Sequence, residues 1–288
     1  MIPGEFEYYT PGSVQEAVSL LQQHGDDAKV LAGGHSLIPL LKLRLANPAV
    51  LVDIGRIDAL KGIKQANGGV TIGALTTHSE IEHSADLKGT FPILAEAATV
   101  IGDPMVRNRG TFGGSLAHAD PAGDWPAVAL ALGAQVKVVG PKGERTIASD
   151  EFFVDMLTSA LEPGEVLTEV TLPAPSGKVG MSYQKFSHPA SGYAVVGVAA
   201  VLTLGADGAC QDARIAVTGA GPKATRLTAV ENALKGQQVN ADTAAAAAEH
   251  AGEGIDFLGD IYASESYREH LTKVFTKRAI LAAAENGK

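Results

Sequence analysis

The sequence predicts an α+β chain built of two units, and three observations carry that prediction. Strand-like apolar runs alternate with capped amphipathic helices early in the chain. The segment Pro173-Ala174-Pro175-Ser176-Gly177 then interrupts the pattern as a linker would. Beyond it, three apolar strands come before the helices, which suits a small sheet covered by helices. With 288 residues and 45% hydrophobic content, each unit has enough chain for its own core. The expected units are residues 1–176 and 177–288.

Phe6-Glu7-Tyr8-Tyr9 alternates and ends at Thr10-Pro11-Gly12. Ser13 followed three residues later by Glu16 has the form of a capping box, and Val14, Ala17, Leu20 and Leu21 form one apolar stripe that Gly25 ends. The strand-like residues 28–31 lead into Ala32-Gly33-Gly34-His35-Ser36-Leu37-Ile38-Pro39. Two adjacent glycines let the backbone turn sharply, adopt φ > 0, and bring successive N–H groups onto an anion. Ser36 is placed to cap the following helical turn, near whose start Pro39 is tolerated. An ordinary strand-to-helix turn uses the same residues. A second cluster, Thr111-Phe112-Gly113-Gly114-Ser115-Leu116-Ala117, favours the phosphate-cradle reading, because two such loops suggest one extended ligand held at two points.

Val50-Leu51-Val52-Asp53-Ile54 reads as a strand, and residues 62–64 and 70–73 read as a hairpin across Asn67-Gly68-Gly69. Thr77 is placed to cap a helix through Ile81, and Pro92 to open another through Leu94, Ala97, Ala98 and Ile101. From 102 to 124, turn formers are so dense that no regular element of useful length is expected, and long irregular stretches of this kind carry function. Residues 126–132 predict a short apolar helix, 136–139 and 145–147 a hairpin, and 165–172 a strand. In the second unit, residues 181–186, 194–204 and 212–219 predict three antiparallel strands. Asn240 precedes an alanine helix over 243–251, and Ser264 caps a last helix with Tyr267, Leu271, Val274, Phe275, Ala279 and Leu281 on one face. No internal repeat is visible, which sets solenoids and propellers aside.

The formal charge of -9, with no basic tract longer than Lys277-Arg278, argues against a nucleic-acid or anionic-membrane partner. The single cysteine, Cys210, excludes an internal disulfide and any cluster that needs several thiolates from this chain, so an iron–sulfur centre would have to sit on another subunit. Without a basic-then-apolar leader or a run of membrane-span length, the expected location is the cytoplasm, the inner face of the cell membrane included. No Rossmann fingerprint or P-loop is present. The histidines, among them His35, His78, His83, His118 and His188, show no zinc-site spacing, and neither Ser36 nor Ser115 stands in a nucleophile elbow.

Several residues keep two readings. His35 either donates to a phosphate or satisfies a loop carbonyl. Asp120 and Asp124 are either an acid–base pair or hydrogen-bonding groups for a polyol or for their own loop. Lys185 either faces a ligand or is a solvated strand lysine, and Tyr193 either lays its ring over a ligand or starts a strand as a core aromatic. Cys210 reads as a thiol without a redox task.

The Ala32-Gly33-Gly34-His35-Ser36-Leu37 loop, the 102–115 segment and Ala119-Asp120-Pro121-Ala122-Gly123-Asp124 together resemble the flavin subunits of the molybdenum hydroxylases, the xanthine dehydrogenase family. Within it the nearest resemblance is to the carbon monoxide dehydrogenase branch, and it extends to Gly219-Ala220-Gly221-Pro222 and to Ala263-Ser264-Glu265-Ser266-Tyr267-Arg268. The resemblance implies a two-lobed FAD-binding domain of the vanillyl-alcohol oxidase type, followed by a C-terminal domain of the carbon monoxide dehydrogenase flavoprotein type. It also implies non-covalent FAD, with residues 32–36 on the pyrophosphate and Leu37 beside them. Thr111, Gly114 and Ser115 would hold the remaining diphosphate and ribityl region, and Asp124 the ribityl chain. Ile101 and Ala117 would line the flavin, Leu167 the adenine, Lys185 the isoalloxazine edge, and Tyr193 one flavin face. Ser115 stands where xanthine dehydrogenases often carry Asn. The implied partners are an iron–sulfur small subunit with 2Fe-2S clusters and a molybdopterin large subunit in a dimer of heterotrimers, with a quinone or another acceptor taking the electrons. The implied reaction is oxidation of a substrate at the partner's molybdenum, with this chain passing on electrons. Two further readings are a self-contained flavin oxidase, which needs its own base and substrate pocket, and an assembly protein that keeps the fold without FAD.

Overall fold

Local signals set most of the element ends in the computed structural model, which describes residues 2–66 and 69–287. Ser13 accepts a hydrogen bond from Glu16 N at 3.1 Å at the start of helix Val14–His24, and Gly25 ends that helix at φ 53°. The Glu16 carboxylate accepts from Gly12 N at 2.7 Å rather than from Ser13, so the expected capping box is half formed. Thr77 and Glu80 do form a reciprocal box on helix His78–His83, and Pro92 is the first residue of helix Pro92–Thr99.

The first lobe is a three-stranded parallel sheet ordered Glu7–Tyr9, Val50–Asp53, Ala28–Leu31, packed against helix Val14–His24 through Ala17, Val18 and Leu21. The second is a five-stranded antiparallel sheet ordered Ile63–Ala66, Gly69–Gly73, Val166–Leu172, Gln135–Gly140, Gly143–Ala148. Its first hairpin pairs as expected, and the Asn67-Gly68 part of the predicted turn lies outside the described residues.

After the irregular residues 173–177, Lys178–Ser187, Ala194–Leu204, Cys210–Thr218 and the short Thr225–Arg226 form a four-stranded antiparallel sheet. Helices Ala241–Ala248 and Glu265–Asn286 pack with it, capped by Asn240 and Ser264. Helix Asp124–Leu132 packs on the same sheet although it comes from the earlier part of the chain, and all nine of its residues are buried. Each of its large apolar side chains contributes roughly 1.5–3 kcal/mol by burial, so this helix joins the antiparallel lobe to the C-terminal sheet. One continuous core accordingly runs from Ile72 and Trp125 to Tyr183 and Ala199.

The structure corrects three expectations. Residues 102–124 are not devoid of regular structure: helices Pro104–Arg107 and Phe112–His118 form there, the second around Gly113 and Gly114. Thr111 caps it by accepting from Gly114 N at 3.2 Å, and a Cβ on Gly113 would come within 2.7 Å of Ala74 Cα, so close packing selects glycine despite its poor helix propensity. Ser36 precedes helix Leu37–Leu43 without a side-chain capping bond. On the last helix Leu271, Phe275 and Ala279 are buried and Val274 and Leu281 pack against the same core as expected, but Tyr267 is 40% exposed and Arg268, Thr272 and Thr276 are buried in its place. Helices Ala85–Thr90 and Thr228–Leu234 and the small hairpin Phe153–Asp155 with Thr158–Ser159 were not expected. Among the described residues no helix is long and apolar enough to cross a membrane.

Candidate functional site

The two glycine clusters meet. A Cβ on Gly33 would fall inside the Arg109 carbonyl oxygen, 2.8 Å from its carbon and 2.9 Å from Gly110 Cα. Gly114 lies over Ala32, its virtual Cβ 3.7 Å from the Ala32 methyl. The strand end at Leu31 fixes the first turn, since Ile54 N donates to Leu31 O at 3.0 Å. Residues 74–78 fix the second: His78 N donates to Gly110 O, Phe112 N to Thr76 O and Gly113 N to Ala74 O, at 2.9–3.0 Å.

The two turns behave differently toward a ligand. In the first, Gly34 has φ 78°, and among the described residues the N–H groups of Gly33, Gly34, His35 and Ser36 donate to no other protein group. Such a run of unspent donors is what an anion cradle requires. In the second, the N–H groups of Phe112, Gly113, Gly114 and Ser115 are all used inside the chain, which leaves the Thr111 and Ser115 hydroxyls to face a ligand. Its glycines are there for close approach, not for donation.

Both turns border a groove of about 560 Å³, within the ~300–1,000 Å³ range of cofactor sites. Fourteen of the fifteen sequence-predicted residues line it: Ala32, Gly33, Gly34, His35, Ser36, Leu37, Ile101, Thr111, Gly114, Ser115, Ala117, Asp124, Leu167 and Tyr193. His35 is exposed, and among the described residues its ring bonds to no loop carbonyl. Tyr193 is 42% exposed, so it is a wall of the groove and not a core aromatic. Burial pushes its phenol up, helped by the Asp120 charge and opposed by the Ser36 hydroxyl.

Lys185 stands apart from the lining. Its side chain is 2% exposed, and Nζ donates to the Asp124 carboxylate and to Val100 O, both at 2.9 Å. Tyr183 Oη donates to the same carboxylate at 2.6 Å. Burial pushes the Asp124 carboxyl up while Lys185 and the Tyr183 hydroxyl pull it back, and the Tyr183 phenol lies well above its ordinary value. The lysine charge is therefore matched by Asp124 rather than left facing the groove. Asp120 turns to its own loop, accepting from Ala122 N at 2.9 Å. No acid–base pair forms between the two aspartates.

Sequence reasoning missed several groove residues, among them His78, Gly110, Leu157 and Leu161. His78 carried a faint signal, as the residue that follows the capping Thr77. Leu157 carried none, since its φ of 52° comes from a hairpin that the sequence did not announce. Among the described residues no three metal-ligating side chains cluster.

The donor set fits a dinucleotide: unspent backbone N–H groups for a diphosphate, hydroxyls for a polyol, and apolar walls at Ile101, Ala117, Leu161 and Leu167 for flat rings. Comparison with known proteins agrees. Residues 4–175 match the FAD binding domain in molybdopterin dehydrogenase, and residues 181–283 match the CO dehydrogenase flavoprotein C-terminal domain. The chain is 40% identical to the 6-hydroxypseudooxynicotine dehydrogenase complex subunit alpha of Paenarthrobacter nicotinovorans, over 98% of this chain and 96% of that one. It is also 40% identical to the carbon monoxide dehydrogenase medium chain of Hydrogenophaga pseudoflava, over 98% of both. A solved carbon monoxide dehydrogenase from Hydrogenophaga pseudoflava, a form lacking the Mo-pyranopterin moiety of the molybdenum cofactor, contains a chain that superposes with a TM-score of 0.96 at 41% identity over 99% of each chain.

Proposed function

We propose that this chain, which belongs to the family of FAD-binding medium subunits of the molybdenum hydroxylases, holds FAD in the groove between its two glycine turns and passes electrons through it. Membership makes it a flavoprotein component of an oxidoreductase. The observation that carries the site assignment is the convergence of the two turns on one groove, with unspent N–H groups on the first.

In this reading the N–H groups of residues 33–36 bind the diphosphate, with Ala32, His35 and Leu37 framing them. The hydroxyls of Thr111 and Ser115 take sugar or phosphate oxygens, and Gly114 admits the ligand past Ala32. Ile101 and Ala117 pack against the flavin, Leu167 against the adenine, and Tyr193 covers one ring face. Asp124 uses lone pairs left over from Tyr183 and Lys185 to accept a ribityl hydroxyl, because a carboxylate has about four acceptor sites. Lys185 acts through Asp124 by fixing its orientation. FAD, when bound, supplies the redox chemistry, so the chain needs no acid–base dyad of its own.

Electrons reach the chain from a 2Fe-2S small subunit and leave for an external acceptor of the quinone type, while the substrate is oxidised at the molybdenum cofactor of a large subunit. We assign the assembly a dimer-of-heterotrimers form and a cytoplasmic place, the inner membrane face included. Full-length identity to a carbon monoxide dehydrogenase medium chain supports carbon monoxide as the substrate of the assembly. Equal identity to a subunit of 6-hydroxypseudooxynicotine dehydrogenase supports a second reading in which the substrate is of that kind.

Purification of the native complex tests all of this. The expected result is co-elution with a cysteine-rich small chain and a molybdopterin-bearing large chain, and reduction of a quinone analogue driven by one of the two substrates. Turnover of a small substrate by this chain alone would instead support the self-contained oxidase.

A further inference from the structure

His78 is buried beneath the cradle, 5% exposed, yet its ring borders the groove. The indole of Trp125 donates from Nε1 to His78 Nδ1 at 3.0 Å. An indole N–H can only donate, so Nδ1 must be the acceptor and the ring proton of the neutral imidazole sits on Nε2. Trp125 is itself closely packed: it is fully buried on helix Asp124–Leu132, with its ring edge-on to Phe112 at 5.0 Å. The backbone of His78 is tied to the second turn through Gly110 O at 3.0 Å. Burial, reinforced by the His35 and Arg107 charges, holds the imidazole at about 4, so the ring remains a neutral donor at neutral pH.

The far nitrogen is left open. Among the described residues Nε2 bonds to no protein group, and it is not among the buried polar atoms sealed without a partner. The opening is kept by glycine, because a Cβ on Gly110 would sit 2.6 Å from Nε2. Gly33 in turn lies against Gly110, so a cradle residue, a glycine gap and an oriented donor follow one another in space. An N–H donor fixed in a partly buried site, next to a turn whose own N–H groups are unspent, calls for an acceptor oxygen.

We propose that His78 is a further binding residue of the groove, donating Nε2–H to a phosphoryl oxygen of the dinucleotide seated on the 33–36 turn. The proposal rests on the reading of the groove as a FAD site. It gives Trp125 a role as well: this only tryptophan of the chain fixes the tautomer that makes the donation possible.

The test titrates FAD into the flavin-free full-length chain and into His78→Asn. Asparagine retains an acceptor for Trp125 but does not reach the Nε2 position. The expected result is FAD binding weakened roughly tenfold or more, the loss of one hydrogen bond to a charged group, with the 31P resonances of bound FAD displaced from their wild-type positions. On the ¹⁵N-labelled wild-type chain, FAD should move the His78 Nε2–H signal downfield and slow its exchange with water, a readout that stands even where the variant fails to fold. Unchanged affinity and unchanged 31P resonances in a folded His78→Asn chain would overturn the proposal, as would an Nε2–H signal indifferent to FAD. If the wild-type chain binds no FAD, the functional reading itself falls and this proposal with it. If wild type binds and only the His78 effects are missing, the functional reading stands.

Discussion

Replacing Gly33 with alanine is the smallest change that sets the two turns against each other. The new methyl would lie 2.0 Å from the Arg109 carbonyl oxygen, 2.8 Å from its carbon and 2.9 Å from Gly110 Cα, while favourable contacts between heavy atoms begin near ~3.5 Å. The carbonyl oxygen, 2.0 Å away, governs the movement: the turns would have to part by more than about 1 Å, and since the obstructing atoms are backbone, no rotamer change relieves the overlap. Overpacking of this kind costs about 1–3 kcal/mol, offset by about 0.4–1 kcal/mol from the lower freedom of the unfolded alanine chain. With a backbone overlap this deep the cost stands at the upper end of that range, so the folded protein should lose roughly 2–3 kcal/mol. Binding should suffer more, because sites tolerate only about 0.5 Å of misplacement. Losing two N–H contacts to a charged phosphate, at about 1.5–3 kcal/mol each, weakens FAD more than 100-fold by rough arithmetic. Gly89→Ala is the matched control: its Cβ meets nothing within 4 Å on an exposed helix position, so stability should hold or rise by about 0.5–1 kcal/mol with FAD affinity unchanged. Fluorescence titration of FAD and urea unfolding measure both quantities. Wild-type FAD affinity in Gly33→Ala would refute the reasoning.

Three other predictions follow from the same structure. Lys185→Met leaves the buried Asp124 carboxylate with Tyr183 alone, so urea unfolding should register a loss of about 3–5 kcal/mol, with Lys185→Met/Asp124→Leu recovering part of it; a single-variant loss under about 1 kcal/mol would contradict the pairing. His78 is held at about 4 against an ordinary 6.5, so its contribution is fully present above 6.5 and is lost as pH falls through that window to about 4. The loss totals about 3 kcal/mol, and His78→Asn should flatten the stability–pH curve there; an unchanged slope would count against a neutral buried ring. Burial pushes the Cys210 thiol up to about 11, so the native chain should resist iodoacetamide at mildly alkaline pH while the urea-unfolded chain reacts; rapid native labelling would show the thiol to be open.

What the sequence disclosed and what it hid have physical causes. Caps at Ser13, Thr77, Asn240 and Ser264 were legible because each is a short-range contact between residues a turn apart. The strands at 194–204 and 166–172 were legible through their β-branched apolar runs. The helix over Phe112–His118 was not, because its glycines are selected by Ala74, far away in sequence. The apolar face of the last helix was legible apart from Tyr267, but the burial of Arg268 was not, because its partners are long-range: it donates to Val195 O and Gly219 O at 2.7 Å. At the site, the glycine turns announced themselves, while the destination of Lys185 and the place of His78 depend on Asp124 and Trp125, which reach them only in the folded chain.

The most direct test of the account is the flavin content of the purified, folded full-length chain after incubation with FAD and removal of the excess. The expected result is a yellow protein with one FAD per chain, released intact by denaturation as non-covalent attachment requires. A folded chain that retains no flavin absorbance would contradict it.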